Sequence, residues 1–105
     1  MDNNSRVRVN GMYMIRMVRI TDSTALGEWV RSERRSQGLT QGELAEYAGL
    51  GVNFISQVER GKKTAEIGKV LQLLQTLGLG FIGGKRSAWN RVSRYIESDE
   101  TDMNL

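Results

Sequence analysis

Thr40-Gln41-Gly42-Glu43-Leu44-Ala45-Glu46-Tyr47-Ala48-Gly49-Leu50-Gly51-Val52-Asn53-Phe54-Ile55-Ser56-Gln57-Val58-Glu59-Arg60-Gly61 reads as two short helices joined by a glycine turn. Thr40 is a natural N-cap, and Glu43 stands three residues on, where its carboxylate can bond back to the cap's own N–H in a capping box. Leu39 and Leu44 are spaced for a hydrophobic staple across that cap. Leu44, Ala45 and Ala48 form one apolar face, and Gly49 supplies the positive φ that ends a helix without a Cβ penalty. In the second helix Ile55 and Val58 share a face, while Asn53, Ser56, Gln57 and Arg60 fall largely on the other. This is the pattern of a helix-turn-helix, whose second helix would lie in a DNA major groove with amide side chains against base edges. The same spacing also fits an ordinary helical hairpin with a solvated polar face.

Leu39-Thr40-Gln41-x-Glu43-Leu44-Ala45-x-x-Ala48-Gly49, followed by Ile55-Ser56-x-x-Glu59-x-Gly61, resembles the Cro/repressor-like (XRE) helix-turn-helix family, over roughly residues 24–79. The resemblance implies an all-α, compact four- to five-helix lambda-repressor-like domain. It implies that Gln41 sits against the DNA backbone and that Arg34, late in the first helix, pairs with Glu59. Three positions depart from the pattern. Gly42 weakens the first turn of its helix by up to about 1 kcal/mol relative to alanine. Gly51 stands where serine or threonine is usual, and glycine is an acceptable cap. Many relatives carry a proline near Lys63, and this chain has none.

Length and composition agree with one domain bearing tails. The chain has 105 residues and neither cysteine nor histidine, which excludes disulfides and zinc sites of the Cys/His kind. Its apolar runs are too short to span a membrane and no segment reads as a signal peptide, so a cytoplasmic, nucleoid-associated protein is expected. Formal net charge is +3. Arg6, Arg8, Arg16 and Arg19 against Asp2 leave residues 1–20 at +3, and residues 51–86 stand at +4. Residues 87–105 stand at −2. The positive charge therefore lies in the N-terminal arm and beside the reading helix, where Lys62 and Lys63 can meet phosphate or simply solvate a helix end.

Working outward, residues 1–20 form a basic arm. Its first eleven residues are expected to be disordered, and Met12–Ile20 is open between a short strand, a helical turn and a loose arm. Residues 21–84 form the domain. Thr21-Asp22-Ser23-Thr24 is a run of N-cap residues, so the first helix should run from here to about Gln37 and stop at Gly38, with Leu26, Trp29 and Val30 inward. Phe54 could wedge against the fourth helix or pack on a deoxyribose; packing is preferred. The fourth helix is expected from about Thr64, with Glu66 in its first turn and a stripe of Ile67, Val70, Leu71, Leu74 and Leu77, Leu73 falling beside it. Gly78 ends it. Leu79-Gly80-Phe81-Ile82 then reads as a short strand, whose unpaired edges require either Met12–Ile20 or the same strand of a second copy.

A helix ending in Leu-Gly-Leu before a short strand, together with Thr64–Leu74, looks like the HipB-type antitoxins. That narrower resemblance implies a homodimer joined through Leu79, Phe81 and Ile82, a palindromic double-stranded operator, and a HipA-type kinase toxin as partner. Residues 85–105 lie outside it. There Trp89, Val92 and Ile96 suit a short amphipathic helix that could meet such a partner or fold back on its own domain, before an acidic end.

The expected function is sequence-specific transcriptional repression by an autoregulating antitoxin. A phage-type repressor, a restriction–modification controller and a protein-binding module without DNA specificity are the alternatives. The expected DNA-facing residues are Gln41, Val52, Asn53, Ser56, Gln57, Arg60, Lys62 and Lys63. No nucleophile–base spacing, phosphate loop or metal cluster is legible, so neither catalysis nor a cofactor is expected.

Overall fold

A computed structural model describes residues 6–9, 12–15 and 17–88. The chain divides into two units. The helical unit, residues 19–81, holds α1 (Ser23–Ser36), α2 (Gln41–Ala48), α3 (Val52–Glu59) and α4 (Ile67–Thr76). Its core is built from Val30 of α1, Leu44, Ala45 and Ala48 of α2, Ile55 and Val58 of α3, and Val70, Leu73, Leu74 and Leu77 in and just after α4. Helix α1 packs on α3, and α2 packs on both α3 and α4.

Local chemistry sets the helix starts. Asp22 caps α1, its Oδ1 accepting from the Ala25 N–H at 2.8 Å. At α2 both halves of the capping box form: Thr40 Oγ1 accepts from the Glu43 N–H at 3.0 Å, and Glu43 Oε1 accepts from the Thr40 N–H at 2.9 Å. One turn motif ends all four helices. Gly38, Gly49, Gly61 and Gly78 have φ between 70° and 85°, and the residue after each donates its N–H back to the carbonyl five residues earlier. Side chains close two ends further: Gln72 Nε2 donates to the Ala48 carbonyl at 2.6 Å and Gln37 Nε2 to the Leu77 carbonyl at 2.9 Å.

The crossing of α1 and α3 depends on Gly27. A Cβ built there would lie 2.3 Å from the Val58 carbonyl oxygen and 2.8 Å from that of Glu59. Glycine inside a helix costs about 1 kcal/mol of helix propensity, and here it lets two backbones approach. Ser23 Oγ donates to the Gly61 carbonyl at 2.9 Å beside that crossing.

Helix α4 corrects the sequence reading in two respects. It begins at Ile67, not near Thr64, and Glu66 is its N-cap without a side-chain cap bond. Its inward stripe is Val70, Leu73, Leu74 and Leu77, the i, i+3, i+4, i+7 pattern, so Leu73 lies at its centre. Ile67 and Leu71, placed in the stripe from spacing, are exposed.

Among its described residues, the second unit, residues 1–18 with 82–105, contains the antiparallel pair β1 (Arg6–Val9) and β2 (Met12–Ile15) and a 3-10 turn, Arg86–Ala88. Arg6 pairs with Ile15 and Val9 with Met12. The expectation of disorder over residues 1–11 is corrected at Arg6–Val9. The register leaves only Asn10 and Gly11 between the paired ends, and Asn-Gly is a strong two-residue hairpin signal. Met12–Ile15 thus takes its partner locally. The strand expected at Leu79–Ile82 is not formed in the structure.

Gly27→Ala should lower stability by about 1–3 kcal/mol, since its methyl meets backbone oxygens that cannot rotate away. Gly42→Ala, where the nearest atom to an added Cβ is Thr40 Oγ1 at 3.9 Å, should raise stability by up to about 1 kcal/mol. Urea unfolding of both variants checks this, and equal effects of one sign would contradict the packing argument.

Candidate nucleic-acid interface

A buried ion pair fixes α3. Arg34 Nε donates to Glu59 Oε2 at 2.6 Å and Nη2 to Oε1 at 3.0 Å, a two-pronged contact between groups that are each nearly sealed from solvent. Arg34 Nη1 donates to the Leu39 carbonyl at 2.7 Å, and Gln41 Nε2 donates to Glu59 Oε1 at 3.0 Å. The carboxylate at the end of α3 thereby holds α1 and the first residue of α2, and Arg34 ties in the turn before α2. Burial alone would raise the Glu59 pKa. Hydrogen bonds from Arg34 and Gln41 and the charges of Arg34 and Arg31 outweigh it and hold the carboxyl below its ordinary value of 4.5.

With its inner face so held, α3 turns a polar face outward. Val52, Asn53 and Arg60 are exposed, and Ser56 and Gln57 are half-buried. Arg60 Nη1 donates to Ser56 Oγ at 2.9 Å and Lys62 Nζ to Gln57 Oε1 at 3.2 Å. Lys62 and Lys63 are exposed directly after the helix. The eight residues expected to face DNA therefore lie on α3, the turn after it and the N-terminus of α2. Gln41 is also a member of the buried network, which its expected backbone contact did not suggest. Phe54 packs on the core with Lys69 Nζ 5.9 Å from its ring centre. Sequence reasoning missed Gly27; a lone glycine inside a helical pattern was the available signal.

The residues expected at a subunit contact are dispersed. Leu79 packs on the core, Phe81 lies 5.8 Å from Trp29 between ring centres, and Ile82 is 85% exposed. Trp89, Val92 and Ile96 lie outside the described residues. Among the described residues no helix is long and apolar enough to cross a membrane.

The family model described as Helix-turn-helix matches residues 30–82. The chain belongs to the helix-turn-helix family, of the XRE type. This helix-turn-helix protein is 55% identical over 60 residues to an uncharacterised HTH-type transcriptional regulator, y4mF, of Sinorhizobium fredii, covering 57% of this chain and 79% of that one. Among solved structures, HipB in a complex with the O4 20mer is similar at TM-score 0.62 and 26% identity, over 67% of this chain and 99% of HipB. A HipA-HipB-O2-O3 complex is similar to the same degree. The restriction–modification controller C.AhdI of Aeromonas hydrophila is similar at TM-score 0.51 and 29% identity, over 55% of this chain and 88% of that protein. The chain is thus an XRE-type helix-turn-helix transcriptional regulator, with α2 and α3 as the motif.

A carboxylate held below its ordinary value stabilises the fold above the unfolded-state pKa, and that contribution disappears as pH falls through the folded-state value. Glu59→Gln should therefore cost about 3–5 kcal/mol at neutral pH and should flatten the acid limb of the stability profile. Wild-type and variant curves running parallel below pH of about 4.5 would contradict a proton-linked role for this carboxyl.

Proposed function

We propose that this regulator is a sequence-specific repressor acting as a homodimer on a palindromic operator, and that it is the HipB-like antitoxin of a module whose HipA-type kinase toxin it binds. The observation that carries this reading is coverage: the likeness extends over 99% of HipB, beyond the helix-turn-helix itself. The exposed carboxamide of Asn53 and the lysines after α3 suit base reading and phosphate contact, and the half-buried Gln57 lies on the same outward face. Exposed Ile82 and half-exposed Phe81 follow the last helix, where a second copy could supply the missing strand partner. No catalytic step is assigned to the chain, and a cytoplasmic, nucleoid-associated location follows from this reading. The likeness to C.AhdI favours a restriction–modification controller as the second reading, and it covers a smaller share of this chain.

Selection of bound duplexes from a random library, at stated salt, should return a palindrome with half-sites about ten base pairs apart. Failure to enrich any sequence would move the function to protein binding alone. Sedimentation or light scattering at micromolar concentration should give twice the chain mass of 11.8 kDa; a monomer would remove the strand-exchange dimer.

A further inference from the structure

Three of the four glycine turns are followed by leucine: Leu39, Leu50 and Leu79 each pack partly buried against the core. The turn after α3 has the same backbone bonds, but Lys62 stands at that position. Its N–H donates to the Gln57 carbonyl at 3.0 Å, and its Nζ donates to Oε1 of the same Gln57 at 3.2 Å. The turn thus delivers a cation onto one particular side chain of the outward face. An ammonium carries donors only, so the end of the Gln57 carboxamide that faces it must be the oxygen.

That occupancy restricts what Gln57 can recognise. Adenine is read by a carboxamide that gives an N–H to N7 and accepts one from N6, which needs an oxygen lone pair that a second donor can approach. Guanine presents two acceptors, O6 and N7, and asks only for donors. Lys62 takes one of the two lone pairs of the Gln57 oxygen, and an adenine amino group reaching for the other would bring its own N–H donors against the ammonium, whereas guanine O6 and N7 can accept from Nε2 and from the two further N–H groups of Lys62. Asn53, one turn earlier on α3, is exposed and its carboxamide makes no hydrogen bond to a described residue, so both ends are open to a ligand.

We propose that Lys62 is a specificity-determining residue that acts through Gln57, converting it from an adenine reader to a guanine reader, while Asn53 keeps the adenine-type pattern. Phosphate contact after the helix then falls to Lys63. The inference rests on the assignment of α3 as the DNA-reading helix.

The test is selection from a random duplex library with the full-length chain and a small set of variants. Gln57→Ala identifies the base position that Gln57 controls, as the one whose preference disappears. Wild type should select guanine there. Lys62→Met keeps the stem but frees the glutamine oxygen, and should change the guanine-to-adenine affinity ratio at that position by about tenfold toward adenine. Lys62→Arg, which retains donors, should keep guanine. Lys63→Met should weaken all sites alike and leave the preferred base unchanged. Selection of adenine by wild type at that position would overturn the proposal. So would a Lys62→Met protein that weakens every site equally with its preference intact, since Lys62 would then be a phosphate contact only. Absence of any enriched sequence with wild type would instead remove the DNA-reading assignment itself.

Discussion

The Arg34–Glu59 pair is the constraint on which the geometry of α3 depends. Two opposite charges withdrawn from water are costly unless each is fully partnered. Here Glu59 accepts from Arg34 twice and from Gln41 once, and Arg34 also donates to the Leu39 carbonyl. Hydrophobic packing of Ile55 and Val58 brings α3 onto the core, but apolar contact is weakly directional. A two-pronged guanidinium–carboxylate contact specifies both the rotation of α3 about its axis and its position along that axis. The polar face turned to solvent follows from that choice.

The same network joins the two ends of the helix-turn-helix. Glu59 closes α3, and Gln41 opens α2, so one carboxylate couples the proposed reading helix to the helix proposed to meet the DNA backbone. Gly27 allows this arrangement to be close. Any side chain there would hold α1 away from the Val58 and Glu59 carbonyls. A helix-weakening residue is therefore tolerated in α1 because the tertiary contact needs it, a local rule yielding to a packing demand.

The end of α3 shows how a structural turn can become part of the proposed recognition surface. Elsewhere in the fold the residue after the glycine is a leucine that anchors the turn in the core. After α3 the position carries an exposed lysine whose ammonium meets the carboxamide of Gln57. An identical backbone solution thus serves packing at three sites and the proposed base-reading face at the fourth.

The local elements were legible in the sequence because their causes are local. The Thr40/Glu43 capping box, the glycines that end the helices and the alternation of faces in α2 and α3 act within a few residues, and the structure places them where the pattern does. The Arg34–Glu59 pair was legible only through family resemblance, since 25 residues separate its members. Tertiary structure alone decided the centre of the α4 stripe. Spacing admits Ile67 and Leu71 to it, while contact with the other helices selects Val70, Leu73, Leu74 and Leu77. It also decided that Gly27 is a crossing point and that Gln41 belongs to the buried network. Helix starts, stops and amphipathic faces are properties of neighbouring residues. Which face is buried, and which carboxamide group is already occupied, depend on atoms brought together from distant parts of the chain.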